Sequence, residues 1–148
     1  MIGELAEYER LSDQVSADES LLEQHLFGRR PLAEALVGEL GGRVSGYALY
    51  FFSYSTFLTK PGIYLEDLFV RPKARGRGLG RALLAAVAAR AVELGCARLE
   101  WAVLNWNQPA IEFYRSIGAQ PLEEWTTYRL TGRALAELAR RATVRAGH

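Results

Sequence analysis

Arg75-Gly76-Arg77-Gly78-Leu79-Gly80 follows a short hydrophobic stretch and opens a long alanine-rich one. Glycine lets a backbone turn tightly and come close to an anion. The first amides of a helix point outward, with the positive end of the helix dipole behind them. The chemistry that fits is retention of a phosphorylated group on the amides of Gly76 to Arg81. Arg71, Lys73, Arg75, Arg77 and Arg81 form a cation cluster around this bend, in a chain whose formal net charge is only +1. The attraction is therefore local, not the bulk field expected of a nucleic-acid binder.

Two nucleotide sites fit the spacing poorly. A P-loop needs Lys-Ser/Thr after its last glycine, and Arg81-Ala82 stands there. A Rossmann turn needs Gly-x-Gly-x-x-Gly after a first strand, whereas Gly76, Gly78 and Gly80 alternate in mid-chain. The remaining pattern, Arg-x-x-Gly-x-Gly on Arg75, Gly78 and Gly80, resembles the acetyl-CoA pyrophosphate loop of the GNAT N-acetyltransferase superfamily. Upstream, Tyr64-Leu65-Glu66-Asp67-Leu68-Phe69-Val70-Arg71-Pro72 resembles the family's central strand. Downstream, Asn105-Trp106-Asn107-Gln108-Pro109-Ala110-Ile111-Glu112-Phe113-Tyr114 and the residues to Ala119 resemble its second cofactor motif. Leu5-Ala6-Glu7-Tyr8-Glu9, Tyr64-Leu65-Glu66-Asp67, Trp106-Asn107-x-Pro109 and Tyr128-Arg129-Leu130 narrow the resemblance. It becomes one to the diamine and polyamine (spermidine/spermine) N-acetyltransferases and the thialysine acetyltransferases, over almost the whole chain. The family's leading strand and first half-helix have no counterpart before Leu5. Either the start is late or the sheet lacks its first strand.

The resemblance implies acetyl-CoA as co-substrate and a primary amine of a small molecule as acceptor. Attack within a ternary complex follows, with proximity supplying much of the acceleration. Leu68, Phe69 and Val70 would pair with the pantetheine arm and polarise the acetyl carbonyl. Arg75, Gly76, Arg77, Gly78, Leu79, Gly80 and Arg81 would hold the diphosphate, and Asn107, Gln108, Pro109 and Ala110 would flank the arm. An alkylammonium, with a pKa near 10.4, is nucleophilic in only about one molecule per thousand at neutral pH, so a base is needed. Glu66 stands where the family has that base. Alternation along a strand sends Asp67 to the opposite face. Tyr114 matches the family's acid, a phenol whose ordinary pKa of about 10 suits a departing thiolate.

Tyr8, Glu9, Glu66, Asp67, Glu100, Trp101 and Ala102 would surround the amine, with Trp101 or Trp106 offering a cation–π face. Thr126 stands where polyamine acetylators place an acid, so a shorter amine or an amino-acid side chain fits as well as spermine. The resemblance also implies a homodimer. Two rival functions share the same cradle: a non-catalytic acetyl-CoA sensor, and acetylation of a protein lysine or N-terminus.

The elements that position these residues follow from periodicity and breakers. A length of 148 residues with 49% hydrophobic and 24% charged content suits one soluble domain, 1–148, with about 131–148 a helical tail. Residues 2 to 11 read as the remnant of a helix, and Ser16 or Asp18 can cap a second one to about Phe27, where Gly28 and Pro31 stop it. Leu32 to Leu40 and Arg43 to Ser53 are strand-like, joined at Gly41-Gly42, a hairpin signal. Tyr54 to Gly62 reads as a loop and Ile63 to Val70 as the strand feeding the cradle. Gly78 to Leu94 has helical spacing and is ended by Gly95.

Leu99 to Leu104 is the next strand, Pro109 opens a helix through Ser116, and Leu122 to Leu130 forms one or two last strands. Gly132 to Arg145 is a basic amphipathic tail. The expected class is α/β (α+β): a mixed, mostly antiparallel twisted sheet flanked by helices. By resemblance, two central parallel strands splay, those ending at Val70 and Leu104. A lone Cys96, with only His25 and His148, gives no disulfide and no metal-ligand spacing, so no metal is expected. No signal peptide follows Met1, and the apolar patch Tyr47 to Phe52 is far short of the about 20 residues that span a bilayer. A cytoplasmic protein without membrane or nucleic-acid partners is expected.

Overall fold

A computed structural model describes residues 1–142. By its internal contacts the chain divides into two units, Met1–Asn107 and Gln108–His148. The first holds the sheet, ordered β1-β2-β3-β4, from β1 (Glu34–Leu40), β2 (Arg43–Ser55), β3 (Lys60–Val70) and β4 (Leu99–Glu100). β1, β2 and β3 are antiparallel neighbours, and β3 runs parallel to β4. The mixed sheet expected from the sequence is present.

The β1–β2 turn falls at the expected dipeptide. Gly41 and Gly42 both have positive φ, 58° and 71°, the pair of left-handed conformations that a two-residue hairpin turn matching strand twist requires. The β2–β3 connection is tighter than the loop expected at Tyr54 to Gly62. Tyr54 and Ser55 pair with Pro61 and Lys60, leaving a four-residue turn of Thr56, Phe57, Leu58 and Thr59. The Ser55 hydroxyl accepts the Leu58 N–H at 3.3 Å and holds that turn. Pro61 is tolerated at this strand end, where its carbonyl accepts from the Ala97 N–H at 2.9 Å.

Helices cover the sheet faces of the first unit. α1 (Ile2–Tyr8) lays Leu5 on Tyr47 and Phe69, the core of one face. Its end is a Schellman turn: the Arg10 N–H reaches the Glu7 carbonyl at 3.1 Å and the Leu11 N–H that of Ala6 at 2.8 Å, with Arg10 at φ 61°. The helix thus stops short of the expected residue 11. α2 (Glu19–Phe27) begins at Asp18, whose carboxylate accepts from the amides of Ser20 and Leu21. α3 (Leu79–Glu93) buries Leu79, Leu83, Leu84, Val87 and Ala91, the helical spacing expected of this segment.

Two expected strands are corrected. β4 is two residues long, not Leu99 to Leu104, because β3 and β4 pair only at Ile63/Leu99 and Tyr64/Glu100. Leu122 to Leu130 forms no strand: these residues are exposed, and the backbone there has no ladder partner among the described residues. The second unit carries α4 (Gln108–Ser116) and α5 (Gly132–Ala139). The tail helix is therefore present from Gly132, while Arg145 lies outside the described residues.

Candidate active site

The glycine bend is built as an open helix start. Gly76 and Gly78 take φ 72° and 81°, which only glycine adopts without strain, and Gly78 is the N-cap of α3 with no side-chain cap. The first bond into the helix runs from the Ala82 N–H to the Gly78 carbonyl at 2.9 Å, so the amides of Leu79 and Gly80 precede the ladder. Side chains added at Gly76 or Gly78 would meet nothing within 4 Å, and one at Gly80 only a Val70 methyl at 3.7 Å. The chain's own packing does not demand glycine at 80.

Two of the cations around this bend are spent on the fold. Arg71 chelates Glu4 through Nε and Nη2 and gives Nη1 to the Val44 carbonyl. Arg75 donates Nε to the Val70 carbonyl at 2.8 Å and stacks its guanidinium 4.5 Å from the Tyr8 ring centroid. It braces the exit of β3 against α1. Lys73, Arg77 and Arg81 are exposed.

β3 is the second component. Beyond Tyr64 it has β2 on one side and no strand neighbour on the other among the described residues, and the Val70 carbonyl at the end of this stretch is taken by Arg75 Nε. The expected splay of two parallel strands is this parting. A bulge marks the same place: Leu49 opposes Asp67 and Tyr50 opposes Leu65, which leaves Glu66 as the extra residue. The expectation that Asp67 faces away from Glu66 is corrected by it. Asp67 shares the face of Phe69 and Tyr47, and Glu66 that of Tyr64, which the bulge makes the same α1-covered face.

That face is electrostatically unusual. Burial pushes the Asp67 carboxyl above its ordinary value, partly offset by a 3.0 Å hydrogen bond from the Tyr47 hydroxyl. Glu9, half-buried at the end of α1, is raised by burial and then by the charges of Asp67 and Glu66. Glu66 itself is exposed. Three of the acids proposed from sequence are thus brought within electrostatic reach of one another. Glu100 is on β4 and spends its carboxylate on Arg98 at 3.3 Å. Trp101 and Ala102 follow it outside any strand.

Asn107 is held from α1. It is buried, and its Oδ1 accepts the Tyr8 hydroxyl at 3.2 Å. Trp106 packs its ring 6.1 Å from that of Tyr8, with the Arg10 guanidinium 4.8 Å from its centroid. Tyr8 therefore ties the segment after β4 to the α1 end, and the αL turn at Arg10 is what aims Arg10 there. In the second unit, Gln108, Pro109 and Ala110 form the first turn of α4. Tyr114 is half-buried beside Phe113, with ring centroids 5.5 Å apart, and its carbonyl accepts from Ala119 at 3.1 Å as the helix closes at Gly118.

Tyr47 was visible in the sequence only as part of an apolar patch. Its partnership with Asp67 depends on strand register and on the bulge, for which no local signal exists. Among the described residues no cluster of three or more His, Cys, Asp or Glu could hold a metal, and no helix is long and apolar enough to cross a membrane.

A glycine-started helix after a strand that parts from its parallel neighbour is the arrangement that the resemblance to N-acetyltransferases implies. Residues 4–119 match the acetyltransferase (GNAT) family, and the chain belongs to it. Its relatives include the thialysine N-epsilon-acetyltransferase of Bos taurus, 45% identical over 150 residues, covering 94% of this chain and 88% of that protein. The L-ornithine N5-acetyltransferase of Arabidopsis thaliana is 51% identical over 92 residues, 62% of this chain and 40% of that one. Among solved structures, an integron cassette protein of V. cholerae superposes with a TM-score of 0.78 at 30% identity, over 93% of this chain and 86% of its own. The resemblance drawn from sequence, to an acetyltransferase of the polyamine and thialysine group, is borne out.

Proposed function

We propose that this acetyltransferase moves an acetyl group from acetyl-CoA to a primary amine of a small molecule, with both bound at once. One observation carries the reading: α3 starts on left-handed glycines without a side-chain cap, soon after a strand that pairs with its parallel neighbour only as far as Tyr64. Those residues fit a CoA diphosphate, since added side chains there would fill space the protein leaves to a ligand. The backbone of residues 76–81 would hold it, with Arg77 and Arg81 adding charge. The edge at Leu68, Phe69 and Val70 would take the arm, with Asn107 of the same unit beside it. When bound, acetyl-CoA supplies an activated acetyl thioester.

The protein's own groups do the remainder. Glu66 takes the proton of the ammonium, directly or through water, and Tyr114 holds a phenol proton for the departing sulfur. Amides along residues 68–70 donate to the carbonyl oxygen as charge grows on it. Glu9 and Asp67 supply negative charge for a second cationic group, alongside Tyr8, Trp101 and Ala102 and, once released from Arg98, Glu100. The relatives' names specify a side-chain nitrogen of an amino acid, thialysine or ornithine. An amino-acid side-chain amine or a short diamine is therefore the favoured substrate class. A cytoplasmic homodimer completes the reading: the single Cys96 suits a reducing compartment, and sedimentation tests the dimer.

The deciding experiment follows thiol release and product mass with thialysine, ornithine, lysine, diamines, spermidine and a lysine peptide. Turnover of free amines is expected. CoA binding without turnover of any amine overturns the reading in favour of a sensor, and exclusive turnover of the peptide overturns the substrate class.

A further inference from the structure

Tyr47 is a buried hydroxyl that the mechanism above leaves without a role. Its ring is 5% exposed, packed with Leu5 and tilted against Phe69 at 6.2 Å. Its hydroxyl donates to Asp67 Oδ2 at 3.0 Å, diagonally across the β2–β3 ladder. Burial and the neighbouring acid push the Tyr47 hydroxyl far above its ordinary value, so it remains a donor at any working pH.

The opposite face carries a comparison. Tyr50, 2% exposed, donates to Glu34 at 2.8 Å, and Glu34 also has Arg90 at 3.5 Å. There the chain supplies the acid with its own cation. Asp67 has the phenol and, among the described residues, no ion pair. Glu9 and Glu66, the charged groups acting with it from α1 and β3, are also acids. A half-buried carboxylate in that company calls for a cation from outside.

We propose that Tyr47 is a positioning residue of the amine site. By occupying Oδ2 it fixes the Asp67 carboxylate so that Oδ1 meets the second cationic group of the substrate, while Glu66 serves the reacting nitrogen. The inference rests on the small-amine reading above. Such an arrangement selects amines that carry a second positive centre and leaves the acetyl-transfer step itself unaltered.

The test compares Tyr47→Phe with Tyr50→Phe, which removes an equally buried phenol–carboxylate bond from the other face. For an amine with a second cationic centre, Tyr47→Phe should raise KM about tenfold, the worth of one hydrogen bond to a charged group. The kcat should stay within about twofold, since binding and not the transition state is affected. A simple monoamine, the acetyl-CoA dissociation constant and every constant of Tyr50→Phe should stay at the parent's values. In an Asp67→Asn background, adding Tyr47→Phe should change KM little, because the two act as one unit.

Equal behaviour of Tyr47→Phe and Tyr50→Phe, or full additivity with Asp67→Asn, overturns the proposal. A parent that acetylates no amine defeats the functional reading instead. The positioning role is then decided by carboxyl NMR titration: Tyr47→Phe should raise the Asp67 pKa through loss of a donor to its charged form, and an unmoved value overturns it.

Discussion

α2 and α3 begin in opposite ways. α2 closes its own end: Asp18 accepts from Ser20 and Leu21, so two of the first-turn amides are satisfied and the dipole meets a carboxylate of the same chain. α3 begins on Gly78, which has no side chain to give, after a bend whose glycines sit at positive φ. Equal backbone chemistry is thus treated in two ways: the start of α2 is capped by the protein's own side chain, and that of α3 is left without one, which under the proposed function is where the ligand binds. Burial differs as well, since α2 has no fully buried residue whereas α3 is anchored by five.

Four perturbations would break or sharpen the contrast. The largest effect is expected from Gly78→Asp, which gives α3 the kind of cap α2 has. A carboxylate in the anion position, at φ 81°, should weaken CoA binding by at least about a hundredfold, measured by calorimetry. Next, Gly80→Ala should separate folding from binding. Its new methyl meets only Val70 at 3.7 Å, so thermal unfolding should show stability unchanged or raised by up to about 1 kcal/mol. CoA affinity should nevertheless fall about tenfold, the cost of losing one close backbone contact to an anion.

Asp18→Ala should do the reverse, lowering stability by about 1 kcal/mol in denaturant unfolding while the CoA dissociation constant stays put. The smallest expected effect concerns charge on the α1 face. The Asp67 charge raises Glu9, so Asp67→Asn should bring the Glu9 pKa down toward its ordinary value, read by carboxyl NMR titration. The sign follows from removing an anion that disfavours a second one. An unmoved value would mean that Asp67 is not charged beside Glu9.

Much of this arrangement was legible from local chemistry. The Gly41-Gly42 turn, the glycine bend before α3 and the apolar stripe of α3 each depend on residues within a few positions of one another and each is where the sequence places it, and of the two caps the sequence offers for α2, Ser16 and Asp18, the second is used. What stayed hidden depends on partners far along the chain. The bulge at Glu66 reverses the face of Asp67, and only the register with Leu49 and Tyr50 reveals it. The shortness of β4 arises because its neighbour parts from it, although Leu99 to Leu104 is strand-like in composition. Leu122 to Leu130 shows the same limit, for β-rich residues form no strand without a partner edge. The Tyr8 link to Asn107 spans 99 positions and joins two segments that the sequence had assigned separately to amine and cofactor.

The central claim is that the amides opening α3 hold the CoA diphosphate. Backbone amide NMR during a CoA titration tests it residue by residue, with α2 as the internal reference. The resonances of residues 76–81 should shift and saturate together, while those of Ser20 and Leu21, already capped by Asp18, should stay still. Saturable CoA binding that leaves residues 76–81 unmoved would contradict the account.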